Sequence, residues 1–122
     1  MRKRVMLIQD NDECAEIMRL ILEEEGFDVF STNSNREINN PDYCDLIIID
    51  EFSKGKTGCE ICKRLKTSDT HSHKPIVLTS TGIGLKTFSA DCNADSYLSK
   101  PFDIDYFASL VKTLLNQQNA VC

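Results

Sequence analysis

The chain has 122 residues, 41% of them hydrophobic and 27% charged, a length and balance that suit one globular domain with its own core. A net charge of −5 argues against unaided nucleic-acid binding, and no apolar stretch approaches the ~20 residues of a membrane span. The N-terminus carries no signal-peptide core, so the chain reads as cytoplasmic and its six cysteines as thiols.

Residues 4–9 read as a buried strand, with Val5-Met6-Leu7-Ile8 running into Gln9-Asp10. Asn11 or Asp12 caps a helix over about 13–25 whose apolar residues Cys14, Ile17, Met18, Ile21 and Leu22 recur at helical spacing and should face inward. Gly26 stands just past the last turn, and 27–30 is a short second strand. Residues 31–43 are polar around Ile38 and predict a short second helix ended by Pro41-Asp42. Leu46-Ile47-Ile48-Ile49 then runs into Asp50, as suits a third strand (45–50) covered on both faces.

A loop over 51–57 contains Gly55, and a helix over 58–66 turns Ile61, Cys62 and Leu65 inward, with Lys63, Arg64 and Lys66 on a solvated face. A polar loop, 67–74, holds His71 and His73. The fourth strand, 75–79, runs into Ser80, and a Gly-containing loop with a short helix fills 81–92. The fifth strand, 95–99, runs into Lys100-Pro101. Asp103 caps a last helix reaching about 117, with Ile104, Phe107, Ala108, Val111, Leu114 and Leu115 inward.

Strands and helices alternate, which demands a parallel sheet with right-handed crossovers and helices on both faces. In such sheets ligands sit outside the carboxyl ends of the strands. Four strands end in Gln9-Asp10, Asp50, Ser80 and Lys100, which gathers carboxylates, a hydroxyl and an ammonium group on one edge. A lysine abutting an apolar strand end is costly without an anionic partner. Those groups are the parts of a phosphoryl-transfer site.

The pieces Val5 to Asp12, Leu46 to Asp50 with Gly58 eight residues on, Pro75 to Ser80, and Ala94 to Phe102 stand in order along the whole chain. Together they resemble the response-regulator receiver domain of two-component signalling, of the chemotaxis-regulator-like kind. The resemblance implies a flavodoxin-like α/β fold, (βα)5, with a doubly wound five-stranded parallel sheet in the order 2-1-3-4-5. It implies a single receiver domain over 1–122, with its core at about 4–117 and a tail too short for an output domain. Met1 and that tail favour a complete single-domain regulator.

By the same resemblance Asp50 is the phosphoacceptor, a carboxylate that attacks phosphorus to form an acyl phosphate. Mg²⁺ would be held by Asp10, Asp50 and the backbone carbonyl of Phe52, with Gln9 acting indirectly. Lys100 would neutralise phosphoryl charge and Ser80 would donate its hydroxyl. Tyr97 matches the switch aromatic, and Lys100-Pro101 the cis peptide. The expected partners are a sensor histidine kinase or histidine phosphotransfer protein docking on the first helix and an unspecified output partner, with a homodimer left open. The domain would be no enzyme beyond its own phosphorylation and dephosphorylation.

Three departures stand out. Gln9 replaces an acid, which predicts weakened Mg²⁺ binding. Lys54 replaces a proline and adds an ammonium group near the site. Phe52 overhangs the site with a ring that cannot orient attacking water, which predicts a long-lived phosphoryl group. Gly82, beyond Ser80, also counts among the residues that modulate the site. The rival reading is a degenerate receiver acting as a phosphorylation-independent protein-binding module. Cys59-Glu60-Ile61-Cys62 reads as packing thiols, with a redox pair or a zinc set completed by His71 and His73 as minor alternatives. The loop Ser80-Thr81-Gly82-Ile83-Gly84 offers only weak grounds for a flavin or nucleotide binder.

Overall fold

Side chains alternate along a strand, so each apolar run here must find cover on two faces. The computed structural model describes residues 2–9, 11–32, 44–50, 58–68, 71–80 and 91–119, the side chains of 117–119 excepted. Its elements are β1 (Arg4–Ile8), α1 (Asp12–Glu24), β2 (Asp28–Ser31), β3 (Leu46–Asp50), α2 (Gly58–Lys66), β4 (Ile76–Ser80), β5 (Ser96–Ser99) and α3 (Ile104–Asn119). All strand pairs are parallel, and the sheet order is β2-β1-β3-β4-β5. The helices expected over 31–43 and 81–92 fall on segments largely outside the described residues.

The two faces carry separate cores. Val5, Leu7, Leu46, Ile48, Val77 and Leu98 pack with Ala15, Met18 and Leu22 of α1 and Phe107, Val111 and Leu115 of α3. Met6, Ile8, Ile47, Ile49, Ile76 and Leu78 pack with Ile61, Cys62 and Leu65 of α2. The central strands β1, β3 and β4 are therefore buried on both sides, as their unbroken aliphatic runs require.

Local signals set the helix ends. Asn11, in an extended conformation, accepts a bond from the Cys14 amide at 3.0 Å and caps α1. Past the last turn Gly26 adopts φ +95°, the Gly26 amide donates to the Glu23 carbonyl and the Phe27 amide to the Leu22 carbonyl, which stops the helix. Asp103 Oδ1 accepts from the amides of Asp105 and Tyr106 at 2.8 and 3.3 Å and starts α3.

Several expectations need correction. Ile17 and Ile104 are exposed, because the buried face of α1 is centred on Ala15, Met18 and Leu22 and that of α3 begins only at Phe107. Lys66 is not on a solvated face. Its Nζ pairs with Asp95 Oδ2 at 2.5 Å and donates to the Lys74 and Ser72 carbonyls. Within the polar loop after α2, His71 and Lys74 are buried.

The cysteines are not all thiols. Cys59 and Cys92 form a disulfide across a sequence separation of 33, with Cα atoms 5.1 Å apart. Both sulfurs belong to the α2-side cluster, where the fold brings them together, whereas Cys59 and Cys62 share a helix face without pairing. Cys14, Cys44 and Cys62 are thiols. With Cys59 so engaged, the zinc reading fails, and no cluster of metal-ligating side chains occurs among the described residues.

Candidate functional site

Period two decides which residues meet at the carboxyl edge. Gln9 continues the row of Val5 and Leu7, Asp50 that of Leu46 and Ile48, Thr79 that of Val77, and Lys100 that of Leu98. All four therefore extend the face covered by α1 and α3. The register aligns them further, since Leu7 pairs with Ile48 and Asp50 with Thr79.

These side chains form a connected network. Lys100 Nζ lies 3.3 Å from Asp50 Oδ1 and donates to Gln9 Oε1 at 3.2 Å. Gln9 Nε2 donates to Thr79 Oγ1 at 3.1 Å, and Thr79 Oγ1 donates to Asp50 Oδ1 at 3.3 Å. Gln9 and Thr79 are buried, while the side chains of Lys100 and Asp50 retain 17% and 22% of their exposure. Both contacts to Asp50 fall on Oδ1. Among the described residues none falls on Oδ2.

The backbone holds the pair in place. The Lys100 amide donates to the Ser80 carbonyl at 2.9 Å, and the Lys100-Pro101 peptide is cis, as expected. At the base of β3, α2 begins at Gly58, where a Cβ would stand 2.4 Å from the Asp50 carbonyl oxygen and 2.9 Å from Ile49 Cγ2. Only glycine allows the helix to start so close to Asp50.

Of the residues singled out in the sequence, Gln9, Asp50 and Lys100 come together. Ser80 ends β4 and is buried, but it continues the row of Ile76 and Leu78 on the opposite, α2 side. Tyr97 is half-buried and packs against that same α2-side cluster, paired in register with Leu78. Asp10, Phe52, Lys54 and Gly82 lie outside the described residues. Thr79 is a member of the network that the motifs do not point to. Counting by two from Val77, and asking what could partner a buried amide at Gln9, is the signal that finds it.

The Asp50 carboxylate is the hard oxygen donor that Mg²⁺ prefers, and its Oδ2 is not engaged within the described residues. Gln9 does not fit as a ligand in this arrangement, because its carbonyl oxygen receives Lys100. Beside Lys100 a groove of about 460 Å³ is lined by Asn11, Glu13, Cys14, Ile17, Pro101, Phe102 and Ile104.

A parallel sheet in this order, with a lysine and an aspartate facing each other at its carboxyl edge, defines a class. The chain matches the response regulator receiver domain family over residues 5–112 and belongs to it. It is 27% identical over 119 residues to the transcriptional regulatory protein CpxR of Escherichia coli K12, covering 95% of this chain and 50% of that protein. Against the cell cycle transcriptional regulator CtrA of Caulobacter vibrioides NA1000 the identity is 28% over 118 residues, 93% of this chain and 51% of that protein. The chain thus spans about half the length of the curated relatives it matches.

Among solved structures, the signal receiver domain of a signal transduction histidine kinase from Syntrophus aciditrophicus superposes with a TM-score of 0.86 at 27% identity, covering 98% of this chain and 95% of that one. A CheY-like receiver domain protein from Methanospirillum hungatei JF-1 gives 0.83 at 20% identity, over 98% of each chain, and shares the fold.

Proposed function

We propose that the domain accepts a phosphoryl group on Asp50 from a phosphohistidine of a sensor kinase or phosphotransfer protein, and signals by a change of conformation. The observation that carries this reading is the Lys100–Asp50 pair at the carboxyl edge of the sheet, 3.3 Å apart. With Lys100 and Thr79 both on Oδ1, Oδ2 is the oxygen free of contacts from the described residues, and the one that would attack phosphorus. The O–P bond forms as the phosphohistidine N–P bond breaks, and the imidazole leaves. Lys100 holds positive charge beside the carboxylate throughout, which offsets repulsion from the incoming phosphoryl oxygens. Asp50, with Asp10 and the Phe52 carbonyl outside the described residues, would hold Mg²⁺. Bound there, the ion supplies further neutralisation of phosphoryl charge.

The donor must reach Asp50 past α1. The groove beside Lys100, with Ile17 and Ile104 exposed, suits the apolar face of a donor helix. The domain catalyses nothing beyond its own phosphorylation and dephosphorylation in this reading. Incubation with acetyl phosphate and Mg²⁺ should add one phosphoryl group, mapped by peptide mass to Asp50. No adduct would favour a second reading, a receiver that binds a partner without phosphorylation. The closed Gln9–Thr79–Asp50–Lys100 network, complete without a metal ligand at Gln9, is the observation on that side.

A further inference from the structure

Chain connectivity gives the disulfide its position. Segment 51–57 leaves the phosphoacceptor strand at Asp50 and ends at Gly58, next to Cys59. Segment 81–90 leaves β4 at Ser80 and ends at Asp91, next to Cys92. The Cys59–Cys92 bond therefore closes the far ends of two segments that depart from the site's edge, those following β3 and β4. On one side it adjoins Gly58, packed hard against the Asp50 carbonyl. On the other it adjoins the cluster in which Cys59, Cys92, Ala94 and Tyr97 pack together.

We propose that Cys59 and Cys92 are a reversible thiol–disulfide modification site, exchanging with low-molecular-weight disulfides and thiols, and that its oxidation restrains the receiver's response at Asp50. Oxidation runs by two exchanges. The Cys59 thiolate attacks a small disulfide and expels one small thiolate, then the Cys92 thiolate attacks the Cys59 sulfur of the mixed disulfide and expels the second. The two protein thiols lose two electrons and two protons, and one small disulfide becomes two small thiols. In reduction a small thiolate attacks the sulfur of Cys59, the partly exposed residue of the pair, and Cys92, fully buried, is the leaving group.

Cys62, one turn along α2, does not compete. It is fully buried, and burial pushes its thiol up to about 11, so little thiolate is present at neutral pH. Coupling to the site follows from the cross-link itself. A bond that fixes the far ends of both segments removes arrangements open to the reduced chain, so any rearrangement that a phosphoryl group selects costs more when oxidised. The coupling rests on Asp50 as phosphoacceptor, whereas the thiol chemistry stands apart from it.

The test has two readouts on the full chain. After equilibration with mixtures of reduced and oxidised glutathione, alkylation and peptide mass should show Cys59 and Cys92 passing together between thiol and disulfide. Beryllofluoride with Mg²⁺ should bind the oxidised form more weakly than the reduced form by at least about fivefold, the low end of coupling between sites. Cys59→Ser and Cys92→Ser should each bind like the reduced protein whatever the glutathione ratio. No Cys59–Cys92 linkage under oxidant, or equal affinity in the two forms, overturns the proposal. Failure of both forms to bind beryllofluoride overturns the phosphoacceptor reading and the coupling with it, while the alkylation pattern still reports the exchange.

Discussion

On the face covered by α1 and α3, the strand rows run out into Gln9, Asp50, Thr79 and Lys100, held together by hydrogen bonds and one ion pair. On the α2 face the rows of β1 and β3 end in Ile8 and Ile49 and that of β4 in Ser80, and α2 is tied to the chain before β5 at both ends, by Cys59–Cys92 and by Lys66–Asp95. Within the first set, Lys100 and Asp50 keep some exposure and can trade partners with solvent, whereas the buried Gln9–Thr79 bond is costly to break without a replacement partner. The second can change only by chemistry or by moving a helix. One sheet thus carries a polar, hydrogen-bonded row on one face and a cross-linked, clamped packing on the other.

The largest effect should come from removing the proposed nucleophile. Asp50→Asn keeps the shape but replaces one carboxylate oxygen by an amide nitrogen, and phosphoryl uptake from acetyl phosphate should fall by at least about a thousandfold. The fold should survive, since Asp50 lies at the rim. If uptake persisted with the label elsewhere, the polar row would lose its claim to be the reacting face.

The clamped face should report at alkaline pH. The Cys62 thiol moves from 9.0 to about 11, first because burial disfavours its thiolate, aided by Asp95 and opposed by Lys66. An acid raised in the folded state keeps its proton while the unfolded chain loses it. Stability from this source is therefore whole below pH 9.0 and is lost as pH rises towards 11. The loss should amount to about 2–3 kcal/mol in urea unfolding. Cys62→Ala should flatten that alkaline slope, and a slope left unchanged would place the titration elsewhere.

Gly58 joins the two regions. A methyl group there would meet the Asp50 carbonyl at 2.4 Å, so either α2 or the end of β3 must shift. Gly58→Ala should cost roughly 1–3 kcal/mol of stability, as overpacking against backbone usually does. It should also disturb phosphoryl uptake more than an equally destabilising core substitution on the α3 side, such as Val111→Ala.

The fold is legible in the amino-acid sequence because its signals are local and repeated. The aliphatic runs name the strands, and the helix expected over 58–66 coincides with α2, from Gly58 to Lys66. Asp50 and Lys100 can be read because a charge beside a buried strand has few explanations. The disulfide cannot, since Cys92 stands far from Cys59 in sequence and only crossover packing joins them. Ile17 and Ile104 mislead because helical spacing fixes a stripe to within about one position, and here Ala15 and Phe107 carry the buried side. Thr79 hides at the end of an apolar run, where a β-branched residue needs no polar reason to be present.

The smallest predicted effect bears on the polar row itself. Gln9 stands where an acid would favour Mg²⁺, and its amide is committed on both ends, to Lys100 and to Thr79. Gln9→Asp replaces the donor to Thr79 with a second carboxylate, which raises the local negative charge and frees Thr79 Oγ1 from accepting. Mg²⁺ affinity should therefore rise by about tenfold, the low end for residues supporting a metal site. Thr79→Val, close in shape, removes the donor to Asp50 Oδ1 and leaves Gln9 Nε2 buried without its acceptor. It should slow phosphoryl uptake without changing the tightness of Mg²⁺ by the same factor. If both variants moved metal affinity and uptake in parallel, Gln9 and Thr79 would be acting through the cation alone rather than through the orientation of Asp50 and Lys100. Thr79→Ser, which keeps the hydroxyl, separates loss of the hydrogen bond from loss of packing, because it should restore uptake even where stability stays reduced.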